Sequence, residues 1–262
     1  MCIMEEFGKI KTTVEHQGYY YKISEIIKIL ILGLLCTQKT MSEIHGWASS
    51  KRISKLLLEK FSIKKIPCYS HFTVLVGMID SGELNKIFME FFCKLVETVV
   101  GKTIAIDGKT ICSTANMGKY KSPVHIASAF VVENGITIGQ LAAEGKWHGI
   151  QSLGAIVTES EIRYYISSRK LSPLELLTIT RNEWAVESMH WQLDVIFNDD
   201  RTTLHEENAQ KTLNILRKTV LNLVRTYRDK FAPKLNMVAI MRNCLFDDDF
   251  LLLLLTRFSD CV

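Results

Sequence analysis

Two stretches of the sequence decide the predicted fold: residues 103–107 (TIAID) and residues 124–142 (VHIASAFVVENGITIGQLA). The first is rich in β-branched side chains, which favour a strand. In the second, Asn134-Gly135 separates two apolar segments, and this dipeptide is a strong signal for a β-hairpin turn. We therefore predict three strands, over residues 103–107, 124–133 and 136–142.

The sequence on either side of these strands has helical periodicity. Upstream, Ser81 is the expected N-cap of a helix that we predict to run through Val99. Downstream, Ser172-Pro173-Leu174-Glu175 places serine at the N-cap, proline at the first helical position and glutamate at the third. We predict that this second helix extends as far as Phe197, and that a further helix covers about residues 206–228.

The order of elements predicts an α+β fold. A helical N-terminal region spans residues 1–100, a core spans residues 101–230, and a helical C-terminal tail spans residues 231–262. Within the core, two further strands are predicted over residues 152–158 and 163–167.

Composition limits the function classes without choosing one. The chain has 262 residues, of which 47% are hydrophobic, so it can bury a core. A net charge of +4 permits nucleic-acid binding but does not indicate it. The seven cysteines are scattered without a C-x-x-C pair, which predicts free thiols in a reducing, cytoplasmic location rather than a zinc site. The acidic start of the chain shows no signal peptide.

Two apolar runs, residues 26–36 and 251–255, raise the question of a membrane span. Crossing a bilayer takes about 20 apolar residues, and both runs are shorter. Lys28 also interrupts the first run. We therefore predict two core helices and no membrane partner.

Asp107 is the first candidate for chemistry, because it ends the first predicted strand and precedes Gly108. A carboxylate at a strand end, with room beside it, suits a divalent cation that contacts phosphate. An aspartate beside a glycine is also common in ordinary turns. The residues alone leave both interpretations open.

Glu187 is the second candidate. On a helix, Glu183, Glu187, His190 and Asp194 would share one polar face. Such a face is natural where a cation sits, but a solvated acidic surface is the simpler explanation. The chain contains no phosphate-binding glycine loop, dinucleotide fingerprint or serine-hydrolase elbow, so nucleotide-dependent and serine-hydrolase chemistry are disfavoured.

Asp107 and Glu187 lie within a longer series of short segments that are spread along the chain. Upstream of the strands are residues 22–26 (KISEI), 66–67 (IP) and 70–71 (SH). Residues 104–110 (IAIDGKT), 138–140 (IGQ) and 163–168 (RYYISS) follow. The last part comprises Arg181-Asn182, Trp184, Glu187, His190-Trp191, Leu193-Asp194-Val195 and Asp199-Asp200.

This series resembles the DDE-type transposases of the H-repeat-associated (ISAs-type) insertion-sequence group, over nearly all of residues 20–230. The resemblance implies an RNase H-like (α/β) core in which three carboxylates hold two Mg²⁺ or Mn²⁺ ions for DNA strand cleavage and transfer. It assigns Asp107 as the first carboxylate and Glu187 as the third. It also makes Lys109 and Arg181 candidates for DNA phosphate contacts. The implied partners are the terminal repeats of the element, and a further copy or a full-length transposase.

The sequence departs from the family pattern in the middle of the core. In the family, a helix and a strand that carries the second aspartate follow the third strand. Here Gly139-Gln140 leads almost directly to residues 147–150 (WHGI), which resemble a much later family segment. No aspartate occurs between Asp107 and Asp194. We therefore expect that the central helix–strand block is missing and that the chain does not transpose DNA.

Two other hypotheses remain at this stage. The chain could be a non-catalytic remnant that still binds DNA or a transposase through its helical N-terminal region. Basic residues there, Lys51-Arg52, Lys55, Lys60 and Lys64-Lys65, could meet phosphates, although a solvated basic surface would look the same. The chain could also be the unfolded product of a decayed element.

Overall fold

The structure is a computed structural model that describes residues 3–10, 21–96, 101–110, 125–143, 156–157, 160–161, 172–201, 204 and 206–259. The N-terminal part is helical. Its helices are α1 (Ile3–Glu6), α2 (Ile23–Leu35), α3 (Met41–Ser49), α4 (Lys51–Phe61), α5 (Tyr69–Gly77) and α6 (Ser81–Leu95), with a short 3-10 helix at Phe7–Lys9.

Helix α2 forms the centre of this helical part. Its residues from Ile29 to Leu35 are all buried, because neighbouring helices cover every side of it. The prediction that the first apolar run is a core helix is confirmed. No helix in the described part of the chain is both long enough and apolar enough to cross a membrane.

The start of α6 differs by one residue from the prediction. Asp80, not Ser81, is the N-cap, because its carboxylate accepts hydrogen bonds from the backbone N–H groups of Gly82 and Glu83. Ser81 is the first helical residue. The helix ends at Leu95, and Val99 lies outside the described residues.

The sheet consists of β1 (Ile104–Thr110), β2 (His125–Val131) and β3 (Ile136–Ala143), which pair antiparallel in the order β1-β2-β3. The predicted hairpin is confirmed. At its turn Gly135 has φ +63°, a conformation that glycine adopts without a Cβ clash, and its N–H donates to the carbonyl of Val132. The helices together with this antiparallel sheet support an α+β class. The RNase H-like core stays a prediction.

Asp107 lies in the middle of β1, so the prediction that it ends a strand is wrong. Pairing with β2 continues beyond Asp107 to Thr110, which lies opposite His125. Asp107 itself lies opposite Ser128, and Ser128 lies opposite Gln140 of β3. Side chains directly opposite one another share a face of the sheet, so these three residues form one row.

The two later predicted strands are only partly described. Ile156–Val157 (β4) and Ser160–Glu161 (β5) form a short antiparallel pair, so the prediction over residues 152–158 reduces to two paired residues within the described part. Residues 163–167 lie outside the described residues.

Four helices complete the chain: α7 (Pro173–Phe197), α8 (Glu207–Phe231), α9 (Met237–Phe246) and α10 (Asp248–Ser259). A short 3-10 helix, Asp199–Arg201, follows α7. The predicted start of α7 is confirmed, because the side chain of Ser172 accepts from the Glu175 N–H while Glu175 caps the Ser172 N–H. The helix is continuous to Phe197, as predicted.

Helix α8 connects the helical part to the sheet. It packs against α2, α5 and α6 on one side and against β3 and α7 on another. As a result every residue from Ala209 to Tyr227 except Lys211 is buried, including polar residues. The sequence indicated only an apolar stripe on this helix. The enclosed polar residues, among them Asn214, Arg217 and Lys218, become part of the site described next.

Candidate functional site

The site forms where α7 packs alongside β1. His190 Nδ1 of α7 is 3.3 Å from Asp107 Oδ2 of β1. Further along both elements, the ammonium of Lys109 pairs with the carboxylate of Asp194. Two residues along a strand and four along a helix both advance the chain by about 6 Å, so the two contacts place β1 and α7 side by side in the same direction.

Asp107 is held as a carboxylate. The hydrogen bond from His190 lowers the pKa of Asp107, partial burial opposes that shift, and the Gly108 N–H at 2.8 Å lowers the pKa further. The Asp107 side chain remains 42% exposed, so it is accessible from solvent. It can therefore accept another ligand beside His190.

Glu187 lies on the exposed surface of α7, three residues before His190. Helical residues at this spacing have Cβ atoms about 5–6 Å apart, so the Glu187 side chain begins one helical turn from the Asp107–His190 contact. The residues predicted to share one polar face of α7 therefore point in different directions. His190 and Asp194 turn toward β1, Glu187 turns toward solvent, and Glu183 is not among the described side chains.

Lys109 is enclosed by acidic side chains. Besides Asp194, its ammonium lies 3.3 Å from a carboxylate oxygen of Asp200 and 3.6 Å from one of Asp199. Burial disfavours the charged lysine, but attraction to Asp199, Asp194 and Asp200 outweighs it and raises the pKa of Lys109. The phosphate-contact role for Lys109 stays a prediction, and in this structure its charge is directed at these three carboxylates.

Asp199 anchors this charge cluster inside the protein. It is fully buried, and Arg217 of α8 pairs with it at 2.6 Å while Asn214 donates to it at 2.9 Å. Burial opposes ionisation, yet the charges of Arg217 and Lys109 keep the pKa of Asp199 below its usual value. Asn198, with φ 53°, ends α7 in a left-handed conformation immediately before Asp199 turns inward.

Lys218 extends the cluster beneath the sheet. Its ammonium donates to Ser128 Oγ at 2.7 Å and to Gln140 Oε1 at 2.6 Å, the two residues in the same row as Asp107. Complete burial lowers the pKa of Lys218 to about 7, although Asp199 acts in the opposite direction. Sequence reasoning missed this group, since Lys218 looks like a surface lysine between two apolar positions of a helix.

Arg181, the other predicted phosphate contact, is exposed on α7 about two helical turns before Glu187. Both Arg181 and Glu187 are therefore accessible on the same helix. Their assigned roles stay predictions.

The described carboxylates do not fit a complete two-metal site. Asp107 and Glu187 offer the oxygen ligands that Mg²⁺ and Mn²⁺ prefer, but two-metal chemistry requires ligands that clamp both ions. Within the described residues, no three histidine, cysteine, aspartate or glutamate side chains form a group that could hold a metal ion. Lys109 occupies the space between the aspartates of the neighbouring cluster.

The chain is similar to proteins with transposase names. It is 22% identical to "Putative transposase YncI" of Escherichia coli O157:H7 over 326 residues, covering 80% of this chain and 83% of the relative. It is 27% identical to "Putative transposase YncI" of Escherichia coli strain K12, covering 72% of this chain and 70% of the relative. A third similarity, to "H repeat-associated putative transposase YhhI" of strain K12, has 29% identity and covers 38% of this chain and 31% of the relative.

The first alignment is longer than the 262 residues of this chain, so it includes relative residues that have no counterpart here. No protein-family model matches the chain. No solved structure matches it either. The names of the relatives support a transposase family for this chain.

Proposed function

We propose that this chain is an internally shortened DDE-type transposase of an H-repeat-associated insertion sequence that has lost strand-transfer activity. One observation carries the proposal: Asp107 and His190, 83 positions apart in the sequence, meet at 3.3 Å, and Glu187 lies on α7 one helical turn before His190. These are the elements to which the family resemblance assigns the first and third carboxylates.

The length of the similarity supports an internal deletion. The alignment with the O157:H7 relative spans 326 residues but includes only 80% of this 262-residue chain. A block present in the relative and absent here is what the missing second-aspartate segment would produce. In the described part of the chain β1 pairs only with β2, which is consistent with the loss of a neighbouring strand.

The loss of the second carboxylate explains the proposed inactivity. Metal-dependent strand transfer needs the attacking and leaving oxygens to be stabilised together by two ions. Asp107 and Glu187 could bind one Mg²⁺ or Mn²⁺ weakly, but they cannot clamp two. The chain would keep Asp107 and Glu187 in position but would not catalyse strand transfer.

A second candidate function is DNA binding by the helical N-terminal part. Residues 51–65 contain six lysine and arginine residues and one acidic residue, Glu59. Helix α4 buries Ile53, Leu56 and Leu57, while Lys51, Lys55 and Lys60 are exposed together with Lys64 and Lys65. This surface is suited to the phosphates of the element's terminal repeats.

The test uses the full chain and a DNA duplex carrying the terminal repeats of an intact related element. We expect a gel shift but no strand cleavage with Mg²⁺ or Mn²⁺. Metal-dependent cleavage that disappears in Asp107→Asn would contradict the proposed inactivity.

The same gel shift locates the DNA surface. Lys51→Gln/Lys55→Gln should weaken binding and reduce the slope of log affinity against log salt by about 0.9 per lost phosphate contact. The matched control, Lys230→Gln/Lys234→Gln, removes two exposed lysines near the end of α8 and should leave binding unchanged. Equal effects of both double variants would exclude a specific role for α4.

A further inference from the structure

Lys28 interrupts a helix that is otherwise buried. Every residue of α2 from Ile26 to Leu35 is buried except this lysine. Its ammonium has no ion pair and no hydrogen bond within the described part of the chain. The side chain instead lines a pocket of about 450 Å³ between α1, α2, α4 and α10. Small-molecule sites have volumes of roughly 300–1,000 Å³, so this pocket is large enough for a ligand.

The lining of this pocket combines an apolar wall with an excess of positive charge. Lys60 lines it together with Lys28 and likewise has no ion pair among the described residues. Glu5 is the only carboxylate among the lining residues, so two ammonium groups face one carboxylate and the net charge is +1. The wall consists of four apolar side chains, Met4, Phe61, Leu252 and Leu255. An anion with an apolar or aromatic body complements this lining.

The position of Lys60 on α4 directs it toward the pocket. Each residue of an α-helix turns by about 100°, so Lys60 lies on the opposite side of α4 from Lys51. The residues on the side of Lys60, Ile53 and Leu56, are buried against the rest of the protein. Lys60 therefore points toward the pocket at the end of this packed side, and it lies apart from Lys51 and Lys55.

We propose that this pocket binds a nucleotide, either as a free nucleoside monophosphate or as an unpaired nucleotide at the end of a DNA strand. The ammonium groups of Lys28 and Lys60 meet the phosphate. The base stacks on the ring of Phe61, since every base presents a π-face to an aromatic side chain. A single phosphate held between two lysines needs no glycine-rich phosphate loop, and this sequence contains none.

Glu5 favours a nucleotide over other anions that have an apolar body. Its carboxylate can accept a hydrogen bond from the amino group of adenine or cytosine. A fatty acid satisfies the two lysines and the apolar wall, but its alkyl chain offers no donor to Glu5. Thymine has no amino group, so we expect adenine and cytosine nucleotides to bind more tightly than thymine nucleotides.

Isothermal titration calorimetry of the full chain with deoxyadenosine monophosphate (dAMP) tests the proposal. We expect a dissociation constant between about 10 μM and 1 mM, the range of a small ligand of this size. Deoxyadenosine, which lacks the phosphate, and decanoate, which lacks the base, should each bind about 10-fold more weakly than dAMP. These comparisons use only the wild-type protein, so they do not depend on the folding of a variant.

Three variants test the role of the pocket residues. Lys28→Met keeps the length of the side chain but removes its charge, so it should raise the dissociation constant of dAMP by about 10-fold. Glu5→Ala should remove the preference for dAMP over thymidine monophosphate. The matched control, Lys51→Gln/Lys55→Gln, removes two exposed lysines from the other side of α4 and should leave dAMP binding unchanged. Circular dichroism of each variant verifies that the fold is retained.

Two DNA duplexes identify the source of the nucleotide. One is blunt, and the other carries a single unpaired, phosphorylated deoxyadenosine at one strand end. If the pocket takes a strand end, the wild type should bind the second duplex about 10-fold more tightly, and Lys28→Met should bind both equally. If the wild type binds both duplexes equally but still binds dAMP, the ligand is a free nucleotide. The proposed DNA binding by α4 fails separately, when neither duplex binds.

Three results would overturn the proposal. The first is no detectable binding of dAMP at about 5 mM, above the expected range. The second is decanoate that binds as tightly as dAMP, because the pocket would then select an alkyl chain. The third is an equal loss of dAMP binding in Lys28→Met and in Lys51→Gln/Lys55→Gln, because the overall charge of the protein, and not the pocket, would then attract the phosphate.

Discussion

The helical N-terminal part and the α7–β1 contact bury their residues in opposite ways. Around α2 the interior is aliphatic and aromatic, with Ile29, Leu30 and Phe88 fully buried. Between α7, α8 and the sheet, the interior instead contains Asp199, Arg217 and Lys218. Apolar burial needs no specific partner, whereas a buried charge depends on the groups that pair with it, so removing one partner of an ion pair in the second region is costly.

The largest expected effect is the loss of the buried ion pair. Asp199→Ala leaves Arg217 and Lys109 without their buried carboxylate, so we expect the free energy of unfolding to fall by about 3–5 kcal/mol. Urea denaturation measures this change. Leu30→Ala should cost about 2–5 kcal/mol by leaving a cavity in the apolar region. The exposed control Glu90→Ala should stay within about 0.5 kcal/mol of the wild type.

If Asp199→Ala costs no more than Glu90→Ala, the two regions do not differ in the way described. A large loss for Asp199→Ala that is reversed in Asp199→Ala/Arg217→Met would sharpen the comparison. It would show that the unpaired arginine, rather than the lost volume, is responsible.

A smaller effect of opposite sign is expected at Lys218. Its pKa falls from an ordinary value of 10.5 to about 7 on folding, so between these pH values the unfolded chain binds more protons than the folded chain. This group therefore makes the protein more stable as pH rises from 7 toward 10.5, and its penalty is fully present below pH 7. Lys218→Met should flatten this pH dependence and raise stability at pH 6 by roughly 1–4 kcal/mol.

Urea denaturation of wild type and Lys218→Met across this pH range measures the difference in slope. The control Lys211→Met, on a partly exposed lysine of the same helix that pairs with Glu207, should keep the wild-type pH dependence. Parallel curves for wild type and Lys218→Met would contradict the buried position of this ammonium.

The smallest effect is expected at Asp107. Its lowered pKa means that its contact with His190 stabilises the fold above the ordinary aspartate range and is lost as pH falls through the lowered value. Because the side chain is partly exposed, Asp107→Asn should cost less than about 1 kcal/mol at neutral pH. The thermal midpoint of either protein should shift by less than about 1 °C on addition of Mn²⁺, since the described residues form no complete metal site. A Mn²⁺ stabilisation present in the wild type and absent in Asp107→Asn would instead reveal a functional site.

Much of the fold was predictable because its signals are local. The Asn134-Gly135 turn and the capping box from Ser172 to Glu175 depend on residues within one turn of each other, and both predictions are confirmed. The position of Asp107 was not predictable in the same way. Whether a strand continues past Asp107 depends on its pairing with β2, which lies beyond a long intervening segment.

The candidate site, like the fold, was predictable from the sequence only in part. Asp107, Glu187, Lys109 and Arg181 were selected from the sequence because they match segments of a known family. Their neighbours His190, Asp194 and Asp199-Asp200 were visible in those segments without a role. Lys218 gave no signal at all, because nothing in its sequence surroundings shows that other elements cover this face of α8.

The sequence by itself determined the α+β class, the helix and strand types, and the absence of an aspartate between Asp107 and Asp194, because these depend on residue type, periodicity and order. Only the tertiary structure decided which charges meet. It brought Asp107 to His190, turned Lys109 toward three aspartates, and placed Lys218 beneath Ser128 and Gln140. Charge pairing depends on distances of a few ångströms between elements far apart in the chain, and no local pattern encodes such distances.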